Sequence, residues 1–200
     1  MSENANEILS RIAVASLQKC TEKLSRVSAG VWKIAGSNVS METLDTLMKR
    51  YSGDAGESAA VYFDVKGELP FVAILLFDPR DMDRISRCFL GYSFSPSPAM
   101  NQASELLLSE LGNIILNSFV SAMSNALKTV FLPSVPRYVH GVPRDLLEAM
   151  GVSMDLKQGY RSICVKLNIH CDKTVTWSEV VGLIPEKLAQ ELIKAEQGKA

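Results

Sequence analysis

Apolar residues recur at helical spacing through residues 99–130 (AMNQASELLLSELGNIILNSFVSAMSNALKTV), and the stretch predicts one long helix. Pro98 suits its first turn, with Ser97 as the cap, because proline's missing N–H would find no partner there anyway. Gly112 is the one interruption. At a rise of about 1.5 Å per residue the helix runs on the order of 45 Å. Leu108, Leu111, Ile115, Phe119, Ala122 and Ala126 fall on one side and read as core. Glu110, Asn113, Asn117, Ser121 and Ser124 form a narrow polar stripe on another. Glu110 and Asn113 are three apart, hence neighbours on the helix surface. Such a pair can grip a cation and orient a water, but E-x-x-N occurs everywhere by chance, and on the helix alone it reads as a solvated face.

The same patterning predicts the other elements. Residues 4–29 form a first helix, with Ile8, Ile12, Ala15, Leu24 and Val27 as its apolar side. Residues 30–40 are extended, and 41–50 form a short helix capped by Ser40. A polar loop, YSGDAGES, follows. Residues 58–65 and 70–77 read as a hairpin, and Asp78 caps a helix ending near residue 90. GYSFSPSP is a turn-rich linker. After the long helix, residues 130–141 are extended, with Pro133 and Pro136 marking an edge or irregular strand. A short helix at 143–150, a second hairpin at 160–170 and 174–184, and a last helix opened by Pro185 complete the chain. Trp32 and Trp177 are expected between sheet and helices. Met41, Met48, Met100, Met123 and Met150 are expected in the core.

This order repeats. Helix, extended segment, short helix, hairpin and helix occur twice, and an offset of 99 sets ILSRIAVASLQKCTEKLS over LLSELGNIILNSFVSAMS. The halves run from about 4–92 and 98–198. Neither hairpin can bury its apolar face alone, so the strands are expected to merge into one mainly antiparallel sheet carrying both long helices. The prediction is a single α+β domain with a pseudo-two-fold axis. The offset puts Arg11 under Glu110, Val14 under Asn113 and Ser37 under Pro136, so the first half lacks the polar pair.

Composition narrows the function. A net charge of −1 gives no basic footprint for nucleic acid or an anionic membrane. No apolar run is expected to span a bilayer and MSENANEI is no signal peptide, so the expected compartment is the cytoplasm. Cys20, Cys88, Cys164 and Cys171 lack a C-x-x-C and are expected as reduced thiols. Cys164, His170 and Cys171 invite a metal reading, but His170 and Cys171 point to opposite faces of a strand and no fourth ligand is evident. The chain has no Walker loop, G-x-G-x-x-G after a strand, G-x-S-x-G or H-E-x-x-H.

Glu110, two residues, Asn113, twenty-two residues, Pro136 is a far more specific pattern than E-x-x-N. With SELGNIILNSFVSAMSNAL and the internal repeat, the chain resembles the CheC/CheX/FliY family of chemotaxis phosphatases along nearly its whole length. One position departs: Leu106 stands where the family pattern has an acidic or hydroxyl residue.

The resemblance implies a phosphatase acting on the phospho-aspartate of a CheY-like response regulator. It implies that Asn113 orients the attacking water, that Glu110 pairs with the regulator's lysine, and that Pro136 is structural. Asn117 and Ser121 are candidate partner contacts. The protein would need no cofactor of its own, since Mg²⁺ would be bound by the regulator. The alternative is a non-catalytic CheC-like binding or scaffold module for a response regulator, a CheD-like protein or a flagellar-switch partner. The protein would be a monomer or homodimer.

Overall fold

The two predicted hairpins do join one sheet. The computed structural model describes residues 5–51, 57–90, 98–142, 144–146, 148, 159–171 and 173–198. In chain order these give α1 (Ala5–Val27), β1 (Val31–Thr43), α2 (Leu44–Tyr51), β2 (Ser58–Lys66), β3 (Phe71–Phe77) and α3 (Met82–Leu90). Then come α4 (Pro98–Leu127), β4 (Leu132–Pro133), β5 (Arg137–Gly141), β6 (Gly159–Cys171), β7 (Thr174–Pro185) and α5 (Glu186–Gln197). Ser97 as a cap, residues 52–56 of the polar loop, the linker at 91–97 and much of the short helix at 143–150 lie outside the described residues.

The seven-stranded sheet runs β1-β6-β7-β3-β2, with β4 and β5 both paired to the far side of β2. Every pairing is antiparallel. The order reads the same from either end when β1 is set against β5, β6 against β2 and β7 against β3, as a pseudo-two-fold fold requires.

Strand alternation divides the sheet's side chains between two cores. Val61, Phe63, Ala73, Leu75, Val165 and Val180 face α1, α4 and α5. Tyr62, Val72, Ile74, Val181 and Leu183 face the opposite way, against Leu47 of α2 and Leu146. An ion pair ties the layers together: Arg161 on β6 donates in bidentate fashion to Glu186 of α5 and also to Asn6 of α1.

Two close approaches seat α4. Gly112 lies against β2, where a Cβ would fall 2.5 Å from Val61. Seven residues on, fully buried Phe119 fills the space over Gly182 of β7, where a Cβ would meet the ring at 2.4 Å. Leu108, Leu111, Ile115, Phe119 and Ala126 are buried as the periodicity predicts, together with Leu116, Val120 and Met123. Ala122 is half-buried. By length and composition alone, Gln102–Leu127 could cross a membrane (mean hydropathy 1.4), contrary to the sequence expectation. In the structure 44% of its most apolar window is buried in the molecule, because the apolar side lies on the sheet.

Other expectations are corrected. Ser40 does not cap α2: β1 runs on to Thr43, paired to β6 along its length, and the Thr46 N–H donates to Thr43 Oγ1 at 3.2 Å. Ladder pairing therefore outweighs the earlier cap signal. Trp32 is buried against Phe89, whereas Trp177 is 47% exposed, because odd-numbered β7 residues at that end face away from the helices. Met41, in the edge strand, is 49% exposed; Met123 is core; the side chains of Met48, Met100 and Met150 lie outside the described residues. Ala15 and Val27 are exposed, Val27 at the helix end beyond the reach of the sheet.

Cys88 and Cys171 form a disulfide joining α3 to the end of β6, while Cys20 and Cys164 are free and buried. The expectation of reduced thiols thus fails for one pair, which only tertiary structure brings together. Among the described residues no group of three metal-binding side chains comes together.

Asp78 caps the turn into α3 as predicted, its carboxylate accepting from the Arg80 N–H at 2.9 Å and from the guanidinium. Arg80 holds the Asp78 carboxyl below its ordinary value of 3.8. A lowered folded-state pKa means the stabilisation is present in full above about 3.8 and is lost as pH falls through the folded value. Asp78→Ala is expected to cost about 1 kcal/mol at pH 7. In urea melts that gap should close at strongly acidic pH.

Candidate functional site on the long helix

Because α4's apolar side is committed to the sheet, its polar stripe faces outward. Glu110 is exposed and Asn113 half-buried, on successive turns that bracket the Gly112 contact. One turn further, Asn117 Nδ2 donates to Asn113 Oδ1 at 2.7 Å. Ser121 is exposed one turn beyond that. The structure thus aligns Glu110, Asn113, Asn117 and Ser121, four of the five stripe residues, along one face, and bonds Asn117 to Asn113 rather than leaving both free; Ser124 is half-buried.

Two apolar side chains flank the pair on the same outward surface: Leu106, 65% exposed, and Ile114, 48% exposed. Neither was singled out for exposure by the sequence pattern. Their spacing from Glu110, four residues on either side, was the available signal.

Pro136 lies between β4 and β5 and is half-buried. The break in the β2 ladder there is bridged by Ser134, whose N–H donates to the Asp64 carbonyl at 2.9 Å and whose Oγ accepts from the Asp64 N–H at 3.2 Å. A residue without an N–H fits such a gap at a sheet edge. Arg137 then pins β5 to β2, 3.6 Å from the Asp64 carboxylate and over the Tyr62 ring. Tyr138 packs against the helical core with its hydroxyl near Met82 Sδ. Burial, and then the charge of Glu105 on α4, push the Tyr138 phenol up from its ordinary value.

The matching face of α1 is built differently. The helices run antiparallel, with Ser118 Oγ donating to the Ser16 carbonyl at 3.3 Å and Cys20 beside the Ile114 carbonyl. Arg11, at the position of Glu110, lies 3.5 Å from Glu196 of α5. Val14, at the position of Asn113, is half-buried and carries no polar group. Between the two helices runs an open groove of about 480 Å³, lined on one side by Arg11, Lys19 and Lys23 and on the other by Ser118, Ser121 and Asn125.

Chemically, the α4 face offers a carboxylate able to meet a cation and a carboxamide able to donate and accept at once. Such a face can orient reactants by hydrogen bonding and charge.

The sheet thus carries two long helices on one side, and α4 presents an outward Glu-x-x-Asn turn. Residues 107–140, spanning both site residues and Pro136, match the CheC-like family. Comparison with curated proteins finds no match. The fold is similar to that of Thermotoga maritima FliY (TM-score 0.71, 13% identity, covering 100% of this chain and 99% of that one). It is also similar to the FliM middle domain of H. pylori (TM-score 0.63, 13% identity, 98% and 99% covered). A third similar structure is the CheX–CheY–BeF3–Mg²⁺ complex of Borrelia burgdorferi (TM-score 0.51, 16% identity, 86% and 97% covered). The resemblance to the CheC/CheX/FliY family thus holds at two levels, by sequence over the α4–β5 segment and by fold over the chain.

Proposed function

We propose that this protein is a cytoplasmic phosphatase that hydrolyses the phospho-aspartate of a CheY-like response regulator in chemotaxis or two-component signalling. The observation that carries the reading is the outward placement of Glu110 and Asn113 on consecutive turns of α4, within the segment that matches the CheC-like family. The CheX of similar fold was crystallised with CheY, BeF3 and Mg²⁺.

The chemistry follows from what such a face can do. Phosphoryl transfer needs an aligned nucleophile and neutralised charge more than covalent help. Docked on the regulator, Asn113 holds a water in line with the phosphorus. Water attacks, the bond from phosphorus to the aspartyl oxygen breaks, the aspartate leaves as a carboxylate and inorganic phosphate departs. The divalent cation that neutralises the phosphoryl oxygens belongs to the regulator. Glu110 pairs with the regulator's lysine and fixes the approach of the helix. The α1 face cannot do this: Val14 cannot hold water, and Arg11 would oppose a lysine.

Glu110→Ala is expected to raise KM for the phosphorylated regulator about tenfold, the loss of about 1.4 kcal/mol of docking, while kcat changes less. Initial rates against regulator concentration check this.

A second reading is a binding module for a regulator, a CheD-like protein or a flagellar-switch partner. The exposed Leu106 and Ile114 favour it, since they make the outward face a contact surface as well as a polar one. Incubation with phosphorylated CheY-like regulator and Mg²⁺ separates the two. Phosphate release above the regulator's own rate supports the phosphatase; phosphorylation-dependent binding with no release supports the module.

A further inference from the structure

The hydrogen bond between Asn117 and Asn113 assigns Asn117 a function beyond that of a surface contact. We infer that Asn117 is a positioning residue: it holds the Asn113 carboxamide in one orientation before any partner arrives. The inference rests on the phosphatase reading and adds to it a residue that the Glu-x-x-Asn pattern does not contain.

An asparagine on an outward helix face has three staggered χ1 wells and a broad, two-fold χ2. Left to itself, Asn113 would present its oxygen and its NH₂ group to a partner in about six competing orientations. Helical side chains lean toward the N-terminus, so the residue four positions later reaches back over the turn. Asn117 does this, donating from Nδ2 to Asn113 Oδ1 at 2.7 Å with both side chains half-buried. The bond commits one lone pair of Oδ1 and fixes the plane of the amide. It leaves the Asn113 NH₂ and the second Oδ1 lone pair as the groups that can meet a water. Donation to the oxygen also polarises the amide and strengthens the N–H donors on the other side. Because the bond forms within one helix, the orientation comes at no cost to docking.

The geometry separates positioning from contact. A docking residue acts on affinity; a residue that orders the water-holding amide acts on the rate within the complex. Ser121, exposed at the rim of the groove, has no such bond to Asn113 and serves as the comparison.

The test uses the full chain, a CheY-like regulator phosphorylated by a small phosphoramidate, and Mg²⁺. Asn117→Ala is expected to lower kcat about sixfold, in line with six orientations replacing one, with KM unchanged. Asn117→Gln, which can still donate across one turn, should restore most of kcat. Asn117→Asp, which at neutral pH can only accept, should not. In NMR spectra of the free protein, the Asn113 side-chain amide should shift in Asn117→Ala and return toward its wild-type position in Asn117→Gln. A raised KM with unchanged kcat would make Asn117 a docking contact and overturn the inference, as would no kinetic change. Those outcomes leave the phosphatase reading standing, because wild type still turns over; a wild type without turnover overturns both.

Discussion

Replacing Gly112 with alanine is expected to destabilise the fold by about 1–2 kcal/mol and to disable the site out of proportion to that loss. Two terms compete. Alanine favours a helix interior by about 0.8–1.0 kcal/mol over glycine. Against that, its methyl would sit 2.5 Å from both Cβ and Cγ1 of Val61, a stiff side chain fully buried in β2. Overpacking of this kind typically costs about 1–3 kcal/mol, so the clash should win at its upper range. The helix can escape only by lifting off the sheet, and it carries Glu110 and Asn113 on either side of the contact. A displacement of about 1 Å in a positioning group can cost about 100-fold in rate. Val61→Ala supplies the control, because it opens the space the new methyl needs. The double variant should be more stable than the sum of the single effects, with a coupling of about 1 kcal/mol or more in denaturant melts, and should recover turnover in part.

Asn113→Ala is expected to abolish accelerated hydrolysis while leaving regulator binding within a few-fold of wild type. The substitution removes the carboxamide that, in the proposed reaction, both donates to the attacking water and accepts from it. Loss of a preorganised hydrogen-bonding group at a reacting centre typically lowers kcat by about 100- to 1000-fold. Stability should hold, since alanine is the better helix former and the side chain is only half-buried. Titration of a stable phosphoryl mimic of the regulator, alongside phosphate release, separates the lost rate from any lost affinity.

Much of this was legible in the sequence because helix and strand periods carry it directly. The inward face of α4 follows from spacing alone, and the repeat at an offset of 99 anticipates a sheet whose order is the same from either end. Glu110, Asn113 and Pro136 stood out by spacing, and the first two project outward because the residues between and around them are pulled to the sheet.

What stayed hidden depends on which elements meet. Gly112 reads as an interruption until β2 is placed under it. The Cys88–Cys171 bond joins residues 83 apart with no local pattern between them. Trp177 looks like core by composition, but the strand register turns it to the side away from the helices. Ser40 has the chemistry of a cap, yet the long partner strand β6 keeps the backbone extended past it. The Asn117–Asn113 bond was signalled by an i, i+4 spacing; its direction, with Asn117 as donor, required coordinates.

In the proposed reaction one helix face of two acts on the regulator, and the two faces are directly comparable. The decisive measurement is the decay of phosphorylated regulator with Mg²⁺ in the presence of wild type, Asn113→Ala and Arg11→Ala. Accelerated decay is expected with wild type and Arg11→Ala, and the regulator's own rate with Asn113→Ala. Full activity in Asn113→Ala, or loss in Arg11→Ala with Asn113→Ala still active, would contradict the proposed reaction.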